Sequence, residues 1–142
     1  QQENKMAYPR SPRDQERDMY YFPRMTDKIR LHLKGELDED YLEQFGNGFD
    51  GRCCAFLKVD HADVIAQVKA GKSDTEVLTW CFESGHSATE DDILMFNAFM
   101  SKRGWRDDTS DYIAEIKARN NISDRDDIQT FFDLIEADEE RI

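Results

Sequence analysis

The stretch "SDTEVLTWCFESG", Ser73 to Gly85, decides the fold class of this 142-residue chain. Ser73 and Glu76 are the two halves of a capping box. A hydroxyl and a carboxylate three residues apart each accept a backbone N–H that a helix leaves free at its start. Val77, Leu78, Cys81 and Phe82 follow at helical spacing, and Gly85 supplies the stop. Punctuation of this kind extends in both directions. Upstream, Asp60 is the expected cap of a helix that buries Val64, Ile65 and Val68 and ends at Gly71. Before it, "PRMTDKIRLHLK" (Pro23–Lys34) opens with proline and stops at Gly35, with Met25, Ile29, His32 and Leu33 on one stripe. His32 therefore reads as a hydrogen-bonded core residue. A short helix is expected over Asp38–Phe45, halted by "GNG".

Downstream, Thr89-Glu90-Asp91-Asp92 begins a longer helix with Ile93, Phe96 and Met100 on one face, closed by Gly104 with Trp105 as its apolar closing contact. Asp108 or Ser110 begins the next, carrying Tyr112, Ile113 and Ile116 as far as Asn120-Asn121. Ser123 or Asp124 begins the last, with Ile128, Phe131, Phe132 and Ile135 inward. Alternation of the kind strands show is confined to "AFLKV". The fold class is all-α, a compact bundle of six or seven short helices. Residues 23–142 read as a single helical domain and residues 1–22 as an extended arm packed on it, with Tyr8, Tyr20, Tyr21 and Phe22 as docking aromatics.

The totals agree with a globular chain: 39% hydrophobic and 35% charged residues leave enough apolar area for a core. The longest apolar run, "CCAFL", is far too short to span a bilayer, and no signal peptide is read in "QQENKMAYPR". Three cysteines with no spaced framework point to a cytoplasmic protein. Net charge is −12, unevenly placed: residues 1–34 hold eight basic groups against five acidic, and the remainder 11 against 26. So acidic a chain is a poor binder of nucleic acid or anionic membrane, and neither is an expected partner.

Two constellations carry chemistry. The first is "GFDGRCC", Gly48–Cys54. Asp50 reads as a helix cap, Arg52 as a solvent-facing or salt-bridged first-turn residue, and Cys53 and Cys54 as core, because free cysteine packs as a small hydrophobe. The alternative is a small thiol- or metal-dependent enzyme centred on Asp50, Arg52, Cys53, Cys54 and His86, since a thiol at a helix start beside a guanidinium is activated. Adjacent cysteines do not match zinc spacing, and no metal or cofactor is expected. The second constellation is Arg10, Arg13, Arg24 and Lys28, whose guanidinium forks and i, i+4 pair suit a small anion, or else pair with local carboxylates. The acidic pairs Asp91/Asp92, Asp126/Asp127 and Glu139/Glu140 do not face one another as an acid and a base would. Phosphate-loop, dinucleotide and zinc-protease signatures are absent.

Taken together, "YPRSPRD" (Tyr8–Asp14), "PRMTDKIRLHL", "GFDGRCCAFL", "WCF" (Trp80–Phe82), "WRDD" after "KRG", and "DIQTFFDLIEADE" resemble the small bacterial proteins grouped as domain of unknown function 5069. The resemblance runs over nearly the whole chain and implies no reaction, substrate or cofactor. The function expected from charge layout and missing catalytic signatures is a non-enzymatic binding module for a protein partner or small anionic ligand.

Overall fold

The computed structural model describes residues 7–142, and these form seven α-helices around one core. A two-residue hairpin precedes them. β1 (Gln15–Glu16) pairs antiparallel with β2 (Met19–Tyr20), joined through Arg17 and Asp18, both in left-handed conformation at φ 49° and 66°. That backbone matches the twist of paired strands. The hairpin was not anticipated in a stretch read as simply extended. Asn97 fastens it to the body, accepting from the Tyr20 N–H at 2.9 Å and donating to the Asp18 carbonyl at 2.7 Å.

Helix α1 (Phe22–Leu33) starts with Pro23 in its first turn, where a missing N–H costs nothing. Its Phe22, Met25 and Ile29 are fully buried against α3 (His61–Lys69) and α4 (Asp74–Ser84). Helix α2 (Phe49–Leu57) supplies Cys53 and Leu57 to the same core. Helix α5 (Glu90–Lys102) packs on β2 and on α7 (Phe131–Asp138), and α6 (Ser110–Arg119) contributes Ile113. The capping boxes Ser73/Glu76 and Thr89/Asp92 form as reciprocal hydrogen bonds. At the end of α4, Gly85 lies so close to α2 that an added Cβ would fall 2.1 Å from the Leu57 carbonyl oxygen, and the His86 N–H donates to that oxygen at 2.8 Å.

Several boundaries differ from those read in the sequence. The last helix starts at Phe131 and not at Ser123 or Asp124, because Thr130 and Asp133 make a capping box and end the helical reading there. The preceding segment is irregular, its Arg125 and Ile128 carbonyls taken up by the Lys117 ammonium at 2.7 and 2.9 Å. Over Glu39–Gln44 the chain is a 3₁₀ turn and not an α-helix. "AFLKV" is helical through Leu57, and Asp60 occupies a cap position without a side-chain bond. His32 is exposed and rests against Phe45, 4.5 Å between ring centroids, since the last turn of α1 runs beyond the core. Trp105 is 44% exposed with Arg106 over its ring. It is Gly104, at φ 101° and against Ile113, that closes α5 tightly.

Candidate ligand-binding cleft

Asp50 is where the site begins. Gly48, at φ 55°, is the residue that precedes α2, and the Asn47 carbonyl accepts the N–H groups of Asp50 and Gly51. Asp50 therefore does not cap. It lies inside the first turn with no exposed surface, and three donors converge on it: Lys28 Nζ at 2.9 Å, Tyr21 Oη at 2.7 Å and the Gly46 N–H at 3.0 Å. Burial holds the Lys28 ammonium below its ordinary pKa, against the pull of Asp50. Burial together with the Asp50 charge pushes the Tyr21 hydroxyl well up.

Beside this triad sits a second buried ion pair. Arg24 reaches Glu139 through both terminal nitrogens, at 2.8 and 2.7 Å, and Tyr41 and Arg141 donate to the same carboxylate at 2.7 and 2.6 Å. Burial raises the Glu139 carboxyl, but the bonds from Arg24, Arg141 and Tyr41 outweigh it and leave the group below its ordinary value. Arg24 is 4% exposed, and its Nε–H has no partner among the described residues.

Of these two pairs, Asp50 stays buried behind Lys28, while Arg24, Glu139 and Lys28 line a cleft of about 450 Å³. Its walls are aromatic: Tyr21, Tyr41, Phe49 and Phe131 line it, and Phe49 meets Tyr21 edge to face at 5.7 Å between centroids. Arg52 and Arg103 stand at the mouth, both over the Phe99 ring, 4.9 and 5.5 Å from its centre. Arg103 is held by Asp107 and Asp108, whereas Arg52 is exposed and meets no carboxylate among the described residues. Asp40 and Asp138 also line the cleft; burial and the neighbouring Glu139 and Asp40 charges raise the Asp138 carboxyl. Tyr21, on the cleft wall, has φ 75°, an unusual backbone for a bulky side chain.

The four cations read as holding a small anion, or else pairing with local carboxylates, are divided. Arg10 pairs with Asp14 at 2.9 Å and Asp74 at 3.7 Å, and Arg13 with Asp133 and Glu136 at 2.8 and 3.4 Å. Only Arg24 and Lys28 reach the cleft, and both are bound to buried carboxylates there. The group centred on the cysteines is not brought together either. Cys53, Cys54 and Cys81 are buried; burial pushes the Cys53 thiol well up and those of Cys54 and Cys81 up to about 12, opposite to what a nucleophile needs. His86 lies elsewhere, 3.1 Å from Asp92 and edge-on to Phe56. Among the described residues no three His, Cys, Asp or Glu side chains converge as a metal site.

Glu139, Tyr41, Arg103 and Phe131 were not singled out as site residues from the sequence. In the sequence Glu139 stands only as one of an acidic pair with Glu140, and nothing local marks it as the partner of an arginine 115 residues away.

The fold and cleft define a small helical protein with a charged, aromatic-walled groove. Its family is shown by sequence: a family model described as a domain of unknown function, DUF5069, matches residues 6–141, and the chain belongs to that family. No curated protein matches it. Among the described residues no helix is long and apolar enough to cross a membrane.

Proposed function

We propose that the protein is a non-enzymatic binding module whose cleft takes a small organic acid: an oxyanion, carboxylate or phosphate, attached to a planar apolar body. The observation that carries this reading is Arg52, a guanidinium at the mouth of the aromatic cleft with no carboxylate of its own, oriented by stacking on Phe99. In a chain of net charge −12, an arginine left without an acidic partner beside apolar walls is a recognition group. The orphaned Nε–H of Arg24 adds a buried donor on the cleft floor that an incoming acceptor relieves. Lys28 reaches the cleft, but its charge is taken by the buried Asp50, so this pair holds the walls in place and takes no direct part. Three buried, unpaired thiols support a reducing cytoplasm as its setting, and the family resemblance supports a bacterial one.

Titration with aromatic and aliphatic carboxylates and phosphates, followed by thermal stability, tests the reading. A ligand that raises the melting temperature of the wild type should bind Arg52→Ala at least about tenfold more weakly, since a hydrogen bond to a charged group is worth about 1.5–3 kcal/mol. Arg52→Lys should recover only part of the loss. No shift from any member of the panel, or an equal shift in Arg52→Ala, would refute the proposal.

A further inference from the structure

Helix α5 is apolar on two faces. Ile93, Phe96 and Met100 turn inward, while Leu94, Met95 and Phe99 are 67%, 64% and 42% exposed on the outside. Among the described residues no other element leaves three large apolar side chains in solvent, and an exposed patch of this kind marks an interaction surface. A groove of about 310 Å³ takes in part of the patch: Met95 and Phe99 line it together with Phe96, Met100 and, from α2, Arg52 and Phe56.

The order of residues along this outer face identifies what covers it. The stripe reads Asp91, Met95, Ala98, Lys102, with Leu94 on one flank and Phe99 on the other. Steps of four, three and four residues are those of a helix-pairing seam. Laid against itself in the opposite direction, with the midpoint between Phe96 and Asn97 as centre, the stripe is complementary to itself. Asp91 falls opposite Lys102, and Met95 opposite Ala98, a long side chain facing a short one. Leu94 meets Leu94 of the second copy on one flank, and Phe99 meets Phe99 of the second copy on the other. Both termini follow the same logic: the first turn of α5 is acidic (Glu90, Asp91, Asp92) and its last turn carries Lys102, so antiparallel copies match opposite charges and opposed dipoles. The same Asp91 and Lys102 would place like charges together in a parallel pair, which selects the direction.

We propose that the outer face of α5 is the contact surface of a symmetric homodimer, two antiparallel copies of this helix related by a two-fold axis between Phe96 and Asn97. The arrangement is isologous, so it closes at two copies and buries the patch on both. A single helix pair covers less area than a permanent dimer interface, and association in the micromolar range is expected. It does not depend on a ligand in the cleft.

Sedimentation equilibrium over a concentration series tests this. The wild type should move from one chain mass to two, and Met95→Glu, a change at an exposed position, should remain monomeric with the thermal midpoint of the dilute, undimerised wild type. Asp91→Lys and Lys102→Asp should each weaken self-association, by setting like charges opposite one another. A mixture of these two variants should associate, because each layer then regains a pair of opposite sign. A wild type that stays monomeric, leaving the face to some foreign helix, overturns the proposal. A dimer that survives Met95→Glu, or two charge variants that fail to associate when mixed, overturns it equally.

Discussion

Asp50 shows how one side chain sets the balance of a site. It lies with no exposed surface, and its partner Lys28 is nearly as deep, so neither ion recovers its solvation except through the other. Removing one partner is therefore far worse than removing both. Lys28→Met should cost about 3–5 kcal/mol in chemical denaturation, as expected when a buried charge is left uncompensated. The double replacement Lys28→Met with Asp50→Leu should cost less than Lys28→Met alone. Additive losses would show that the two residues are not energetically one unit. Tyr21, the third member, combines a hydrogen bond to Asp50 with a left-handed backbone, so the same contact that stabilises the carboxylate also holds the chain in the geometry that opens α1.

At the level of elements, the close approach at Gly85 ties α4 to α2. A side chain there would collide with main-chain oxygen and not with a flexible side chain, so it has nowhere to yield. Gly85→Ala should destabilise by about 2–3 kcal/mol, at the upper end of ordinary substitutions, measured by urea unfolding. An unchanged midpoint would mean that the two helix ends separate freely. How legible these elements were in the sequence followed from how local their cause was. The box at Ser73 and Glu76 closes within one turn and could be read directly, as could the start of α5 at Thr89. Thr130 and Asp133 form the same device but were passed over, because the apolar Ile128 extended the helical pattern upstream of it. Asp50 was read as a cap because its sequence neighbours allow one. What claims it instead is a lysine 22 positions earlier and a tyrosine 29 earlier, and no local pattern records that. Of the cleft, the sequence marked Arg24, Lys28 and Arg52 as candidates; the aromatic walls come from four separate segments and only the fold assembles them.

Across the whole molecule, the two ends of the described chain are clamped together by charge. Tyr8 donates to Glu140, Arg13 to Asp133 and Glu136, Arg24 to Glu139, and Arg141 returns to the Pro9 carbonyl. Every acceptor on the α7 side of this clamp is a carboxylate, so acid should loosen it. Folding holds Glu139 below its ordinary value near 4.5, so the unfolded chain takes up that proton more readily than the folded one. The stabilisation is complete above about 4.5 and is lost as pH falls through the lower folded value. Stability measured from neutral pH downward should therefore drop in that window. The drop should be shallower in Glu139→Gln, which cannot lose a charge there. A profile identical to the wild type would place the acid sensitivity elsewhere.

The interior position of all three sulfurs has a practical consequence. A small alkylating reagent meets no thiol in the native bundle, so its uptake clocks how often the molecule comes apart. The tally of tags per chain then separates partial fraying, which exposes one sulfhydryl, from full disassembly, which exposes every one.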